Sequence, residues 1–359
     1  MSNFGSMLQE YYVRKFRVLA KQRQERLAAL QNADDARSYI DTVRAKIRRA
    51  YVFPETPSPL SPRVTRVINQ DGFRIENTII YSRPGFPITC NVYVPEHCPP
   101  PWPAVLELCG HAPDGKACMS YQAVAVSLCL SGCVVLVPDP IGQGERTQYP
   151  ENDAIFNCPE HNLLNRRLLL TGDCFGAWRL QDAMTCVSAL IARPDVDQAR
   201  IGVVGNSGGG TMTTLLNALD DRLAAAAPNC YITRWLSNVE NELPVDAEQI
   251  PFGMTADGGD IADLLIAAAP RPLLITAEQN DFFDLRGTRE VFAELRRFYT
   301  LLGCPEHVQL HVDEEVRNHG FHQPAREATY AFFQQHFGLP VNPSEPGALS
   351  FRISKALNC

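Results

Sequence analysis

Apolar positions Leu8, Tyr11, Tyr12, Leu19, Leu27 and Leu30 recur near the helical period and predict a helix over 7–31. A second helix is predicted over 34–50, with Asp34 or Asp35 as its cap. Together they read as an N-terminal helical arm, packed on the main body or on another subunit in a homo-oligomer. Prolines at 54, 57, 59 and 62 exclude helix and inner strand there, so residues 1–60 are expected as the arm with a proline-rich linker.

From Val64 the pattern changes to strands. Segments 63–70, 74–81 and 88–94 are β-rich and separated by Asp71-Gly72 and Arg83-Pro84-Gly85, which predicts an antiparallel lead-in. After the prolines at 99–103 strands and helices alternate. Strands are predicted at 104–108, 133–138, 201–204, 223–227, 272–277 and 307–312, and helices near 119–131, 162–192, 208–219, 288–302 and 324–337. Runs such as Val134 to Val137 and Leu273 to Ile275 are apolar throughout, as parallel strands covered on both faces require. The expectation is an α/β fold: a mostly parallel, doubly wound sheet over 61–340 with helices on both faces, and a C-terminal tail at 341–359.

Charge narrows the partners. The overall −7 divides into +6 over the first fifty residues and −13 over the rest. The basic residues of the arm alternate with apolar ones instead of clustering, so no nucleic-acid footprint is expected. Residues 1–24 lack the apolar core of a signal peptide, and no run approaches membrane-spanning length. The twelve cysteines are scattered, without Cys-x-x-Cys or zinc-finger spacing. Reduced thiols in a cytoplasmic protein, with no metal and no cofactor, is the expectation.

One stretch carries chemistry. Arg200 to Thr211 reads as a buried strand, a sharp glycine-lined turn and the start of a helix. Gly205, Gly208 and Gly209 flank Ser207 with the small residues that a strained turn needs, which makes Ser207 the candidate nucleophile. A serine hydroxyl needs a base held by a third group. The strand over 271–277 runs into Asp281 and Asp284, and the strand over 307–312 is followed by His319 and His322. Asp281, nearer its strand, is assigned as the orienting acid and Asp284 as the cap of the next helix. His319 is assigned as the base, because Gly320 lets the loop aim it, whereas His322 borders the helix opened by Pro324. The N–H groups of Gly208 and His111 are the expected oxyanion donors. Residues 229–263 are too long for a simple connection and are expected to build a pocket or lid, with Tyr231, Trp235 and Phe252 as substrate-binding candidates. The loop from Asp139 to Arg146 reads as structural, with Arg146 in an internal ion pair, and Trp178 and Asp182 as facing the body of the fold.

Five phrases together, Gly110-His111 with Asp114-Gly115-Lys116, Asp139 to Arg146, Gly205 to Gly210, Ala269 to Ile275, and His319-Gly320-Phe321, resemble the acetyl xylan esterase and cephalosporin-C deacetylase-like branch of the α/β-hydrolases. The resemblance covers roughly residues 60–338 and implies hydrolysis of small acyl esters, often acetyl groups on carbohydrate, through an acyl-enzyme. His111 stands where many such enzymes carry an aromatic residue, and the first 60 residues are a further departure. The alternative is a serine peptidase or amidase of the prolyl oligopeptidase type, which uses the same three residues. The lead-in is too short for a gating propeller, which disfavours it.

Overall fold

The computed structural model describes residues 5–51, 59–152, 157–243, 245–250, 252–256, 258–313, 315, 317–341, 345 and 354–359. Most of the proline-rich linker, 52–58, lies outside the described residues, and Pro59 to Pro62 form no regular element.

Helices α1 (Met7–Ala28) and α2 (Ala33–Ala50) precede three antiparallel strands, β1 (Arg63–Gln70), β2 (Phe73–Arg83) and β3 (Phe86–Pro95). Asn32, not Asp34 or Asp35, caps α2: its side chain accepts from both of their backbone N–H groups. The two aspartates occupy the first turn, where their charge favours the helix dipole instead.

The alternating part follows as β4 (Trp102–Leu108), α3 (Met119–Leu130), β5 (Val134–Pro138), α4 (Cys158–Leu168), α5 (Phe175–Ile191), β6 (Val196–Asn206), α6 (Gly208–Leu219), β7 (Ala225–Asn229), α7 (Trp235–Glu240), α8 (Ile261–Ile266), β8 (Leu273–Ala277), α9 (Leu285–Leu301), β9 (Val308–Val312) and α10 (Gln323–Phe337). One nine-stranded sheet results, in the order β1-β2-β3-β5-β4-β6-β7-β8-β9, parallel from β5 to β9. The strand β6 starts at Val196 instead of 201, because Val196 pairs with Trp102 ahead of a register shift. The helices predicted near 162–192 are α4 and α5, whereas α7 and α8 within the long connection after β7 were not predicted as separate elements.

Strand periodicity divides the interior. Ala104, Leu106 and Leu108 join one core with α2, α5, α6, α8 and α9, while Val105 of the same strand joins the opposite core with α3 and α10. The sheet is therefore apolar on both faces, as the unbroken hydrophobic runs require. At 354–359 the chain returns to the sheet: Asn77 Nδ2 donates to the carbonyls of Ala356 and Asn358, Asn91 Nδ2 to that of Leu357, and Leu357 is buried.

The N-terminal arm packs on its own chain. Arg23, 1 % exposed, donates to both carboxylate oxygens of Asp263 and to Glu294, and Tyr39 also donates to Asp263. Arg23→Ala would leave the buried Asp263 carboxylate short of its main counter-charge, so a loss of about 3 kcal/mol in unfolding free energy is expected by urea titration. A loss below about 1 kcal/mol would show that the arm is not held by this pair.

Candidate active site

The crossing of chain direction at β4 sets the location. The connections from β4 to β5 and from β5 to β6 leave on opposite sides of β4, so a crevice opens at the carboxyl ends of β4 and β6. His111 follows β4 and Ser207 follows β6.

Ser207 has φ 58° and ψ −119°, a backbone state that non-glycine residues rarely adopt. Its N–H donates to Asn229 O at 2.9 Å, which extends the β6–β7 ladder into the turn. Its side chain caps no N–H of α6, so the hydroxyl is not used as a helix cap. The turn is tight enough that a Cβ on Gly205 or Gly209 would meet backbone: Gly209 itself for the first, Leu108 for the second.

Asp281 and His319 come together as expected. The His319 imidazole donates from Nδ1 to Asp281, at 2.9 Å from Oδ1 and 3.0 Å from Oδ2. The two loops that carry them are stitched by Asn280 N donating to Arg317 O and by a bridge between Asn280 and Asn318. Phe282 lies against the imidazole with ring centroids 4.2 Å apart. Asn229 Nδ2 donates to Asn206 Oδ1 and to Gly320 O, which ties the His319 loop to the residue before Ser207. Among the described residues the bonds of the His319 ring are those at Nδ1, and none joins Nε2 to the Ser207 hydroxyl. Asp284 caps α9 by accepting from Arg286 N, and His322 is the first residue before α10, its Nε2 donating to Asn318 O.

Neither the N–H of Gly208 nor that of His111 donates to a protein acceptor among the described residues. The loop between them and β4 is fixed. Gly110 N donates to the Tyr121 hydroxyl at 2.6 Å, and Gln143 Nε2 donates to the carbonyls of Gly110 and Ala112. The loop from Asp139 to Arg146 thus braces the loop that carries His111, while Arg146 pairs with Asp182 at 2.8 Å. Asp182 is buried, and the Arg83 guanidinium lies over Trp178 at 3.9 Å.

The three aromatic candidates are not brought together. Tyr231 is 1 % exposed, with its ring edge-on to Phe283, so it belongs to the core and offers no face to a ligand. Trp235 lines a cavity of about 400 Å³ under α1 with Tyr12, Phe16 and Met254. Phe252 is 81 % exposed. What the insertion does contribute near Ser207 escaped the sequence reading. Asp246 and Glu248 stand beside His111 with His161 of α4, and Arg179 of α5 pairs with Glu248. No local spacing joins positions 111, 161, 179, 246 and 248, so only the fold could reveal the group.

Burial works against a charged His111, but hydrogen bonding to Asp246 and to Cys158 outweighs it and holds the imidazole up at about 9. Burial lowers His161, and the two histidines keep Asp246 below the usual carboxylate range against its own burial. Glu278, at the end of β8, is buried without a hydrogen-bond partner for either oxygen among the described residues. Burial, then the neighbouring Asp313, push it up to about 7, with Arg317 opposing. The folded chain therefore holds this proton where the unfolded chain has released it, and stability from this group falls as pH rises from about 4.3 to about 7. Glu278→Gln is expected to raise Tm by roughly 2 °C at pH 8 and not at all at pH 4. Equal shifts at the two pH values would contradict the assignment.

Comparison with known proteins bears on the family and the fold. Residues 74–251 match the Acetyl xylan esterase (AXE1) family, and residues 173–339 match the Prolyl oligopeptidase family. The chain is an α/β-hydrolase of the acetyl xylan esterase-like branch. The fold is also that of Methylesterase BT1017, at 21% identity and a TM-score of 0.77 over 95% of this α/β-hydrolase and 72% of that chain. A glucuronoyl esterase from Solibacter usitatus follows at 16% identity and a TM-score of 0.65, over 86% of this chain and 95% of that one. The protein YtaP of Bacillus subtilis (strain 168) is 29% identical over 117 residues, 33% of this chain, and the match spans only about a third of that relative's length, 36%. No helix among the described residues is long and apolar enough to cross a membrane.

Proposed function

We propose that the protein is a serine carboxylic ester hydrolase that cleaves small acyl esters, acetyl esters of carbohydrate foremost, through an acyl-enzyme. The observation that carries this reading is the unstrapped Ser207 hydroxyl on a positive-φ turn, beside the loop that holds the Asp281–His319 pair. Ser207 attacks the acyl carbon while Nε2 of His319 takes the hydroxyl proton. That proton then goes to the leaving alkoxide, and water repeats the sequence on the acyl-enzyme. The Ser207–His319 bond this requires forms as substrate closes the site, since such bonds are often long in ligand-free enzymes. Asp281 keeps the proton on Nδ1, so that Nε2 is the basic nitrogen, and it stabilises the imidazolium. The uncommitted N–H groups of Gly208 and His111 receive the oxyanion, and Gly208 adds the positive end of α6.

Esters are favoured over peptide amides because the AXE1 match covers the strands and loops from β2 to the elbow. The protein is further read as a catalytic domain over 61–340 with an N-terminal arm and a docked tail, acting in the cytoplasm. Hydrolysis of p-nitrophenyl esters from acetate to octanoate tests the reading. Acetate is expected to be turned over fastest, with His319→Ala losing at least about 10³-fold in kcat. A folded protein that hydrolyses none of these esters but cleaves peptide amides would replace the reading with the prolyl oligopeptidase one.

A further inference from the structure

Four side chains that the ester chemistry does not consume converge beside Gly208. They are His111 after β4, His161 on α4, and Asp246 and Glu248 in the insertion between β7 and β8. One ligand atom of each lies within 4.8 Å of all the others. His111 Nε2 is 3.3 Å from His161 Nδ1 and 3.3 Å from Asp246 Oδ2, His161 Nδ1 is 3.0 Å from Asp246 Oδ2, and Glu248 Oε1 is 3.9 Å from His111 Nε2. A tetrahedron whose corners stand about 2.0–2.1 Å from its centre, the bond length of zinc to imidazole or carboxylate, has edges of about 3.3–3.4 Å. Three of the four spacings fall near that edge.

Tautomers point the same way. Nε2 of His161 lies 3.0 Å from Ile141 O, and a carbonyl only accepts, so Nε2 carries the ring proton. In the neutral ring Nδ1 then presents a lone pair to the Asp246 carboxylate, 3.0 and 3.2 Å from its oxygens. Two acceptors in such contact are reconciled by a cation or a proton; in the metal-free chain His111 Nε2, 3.3 Å from each, is the donor at hand, and a metal ion would replace that proton. A histidine that donates one N–H to a backbone carbonyl and turns its other nitrogen inward is how metal-bound imidazoles are held. Glu248 supplies a second, independent observation. Its Oε2 faces the Arg179 guanidinium, while Oε1, in a residue fully buried, has no hydrogen-bond partner among the described residues and is aimed at His111 and Gly208. The cluster of Cys230, Asp281 and His319 is different, because there the imidazole Nδ1–H simply donates to the carboxylate.

We propose that His111, His161, Asp246 and Glu248 bind one divalent transition-metal ion, Zn²⁺ by preference, in a closed four-coordinate site. Two imidazoles with two carboxylates suit zinc better than calcium or magnesium, which favour all-oxygen shells. Four protein ligands leave no position for a reactive water, so the ion fastens the fold and takes no chemical step. It would clamp the oxyanion loop, α4 and the insertion to one point. The site stands on its own geometry, and its readouts do not require ester turnover.

The test strips the purified chain with a chelator and titrates it with Zn²⁺ against a chromophoric indicator, then with Co²⁺ followed by visible absorption, in wild type and in Ser207→Ala. Both are expected to take up one Zn²⁺ per chain with Kd below about 1 μM, to show the intense visible bands of tetrahedral Co²⁺, and to gain about 4 °C in Tm. His161→Gln and Asp246→Asn should lose the stoichiometric ion and the Tm gain. Should those variants fail to fold, the wild-type titration decides alone. Folded wild type that binds less than about 0.1 Zn²⁺ per chain, with no change in Tm, overturns the proposal and leaves His111 Nε2–H donating to Asp246 in its place. Ser207→Ala that binds zinc while wild type hydrolyses no ester would keep the metal site and remove the esterase reading.

Discussion

Ser207→Ala is expected to lower kcat for p-nitrophenyl acetate by about 10⁴- to 10⁶-fold while leaving Tm within about 1 °C of wild type. The separation of the two effects follows from the turn. Alanine keeps the Cβ that serine already carries at φ 58°, so the strained backbone state is no worse, and the hydroxyl removed holds no helix N–H. What is lost is the nucleophile alone. Combining the change with His319→Ala should cost little more than either single change, because the base has nothing left to activate. Near-additive losses would mean that His319 acts in some other step. Retained turnover in Ser207→Ala would remove the acyl-enzyme altogether.

Gly209→Ala should be the most damaging single methyl in the chain. A Cβ there would run into the carbonyl oxygen of Leu108 and come within 2.7 Å of its carbon and 2.9 Å of the carbonyl carbon of Cys109. Neither side can yield. Leu108 pairs with Gly205 at the end of the parallel β4–β6 ladder, and Gly209 opens α6, whose apolar face is built into the core. A contact of backbone on backbone in the middle of the sheet leaves no rotamer to relax, so a loss of more than about 4 kcal/mol is expected, seen as a collapse of the urea midpoint or as insoluble protein. By contrast, a Cβ on Gly303 meets nothing within 4 Å, although its φ of +82° adds strain of its own. Gly303→Ala therefore measures the cost of positive φ without the clash. Gly209, inside α6, has no positive φ, so a loss there no larger than that of Gly303→Ala would contradict the close-approach account.

The elbow was legible because its constraints are local. A strand, a serine between glycines and a helix lie within about a dozen residues, and the required spacing is carried by the chain itself. The strands β5 and β8 were legible for a related reason, since an unbroken apolar run has few destinations other than a strand covered on both faces. Asp281 and His319 were found through order and position at strand ends, and the 2.9 Å bond between them follows from the parallel pairing of β8 with β9. Elsewhere the deciding facts were tertiary. An aromatic residue in a long connection reads alike as pocket or core, and only packing separates buried Tyr231 from exposed Phe252. Helix α1 carries a weak stripe of apolar residues, and its attachment depends on Arg23, a residue whose charge argues for the surface until Asp263 and Glu294 are seen around it. The group His111, His161, Asp246 and Glu248 spans 138 positions and three separate segments, with no spacing that any motif describes. Where several distant segments meet, sequence periodicity is silent.

The central claim is that Ser207 is the nucleophile of an ester hydrolase, and covalent labelling tests it most directly. Wild-type protein treated with a fluorophosphonate is expected to gain one adduct per chain by intact mass, mapped to Ser207 by peptide sequencing, with ester turnover lost in step with labelling. Ser207→Ala should take up none. Stoichiometric labelling at another residue, or full ester turnover in protein labelled at Ser207, would contradict the account.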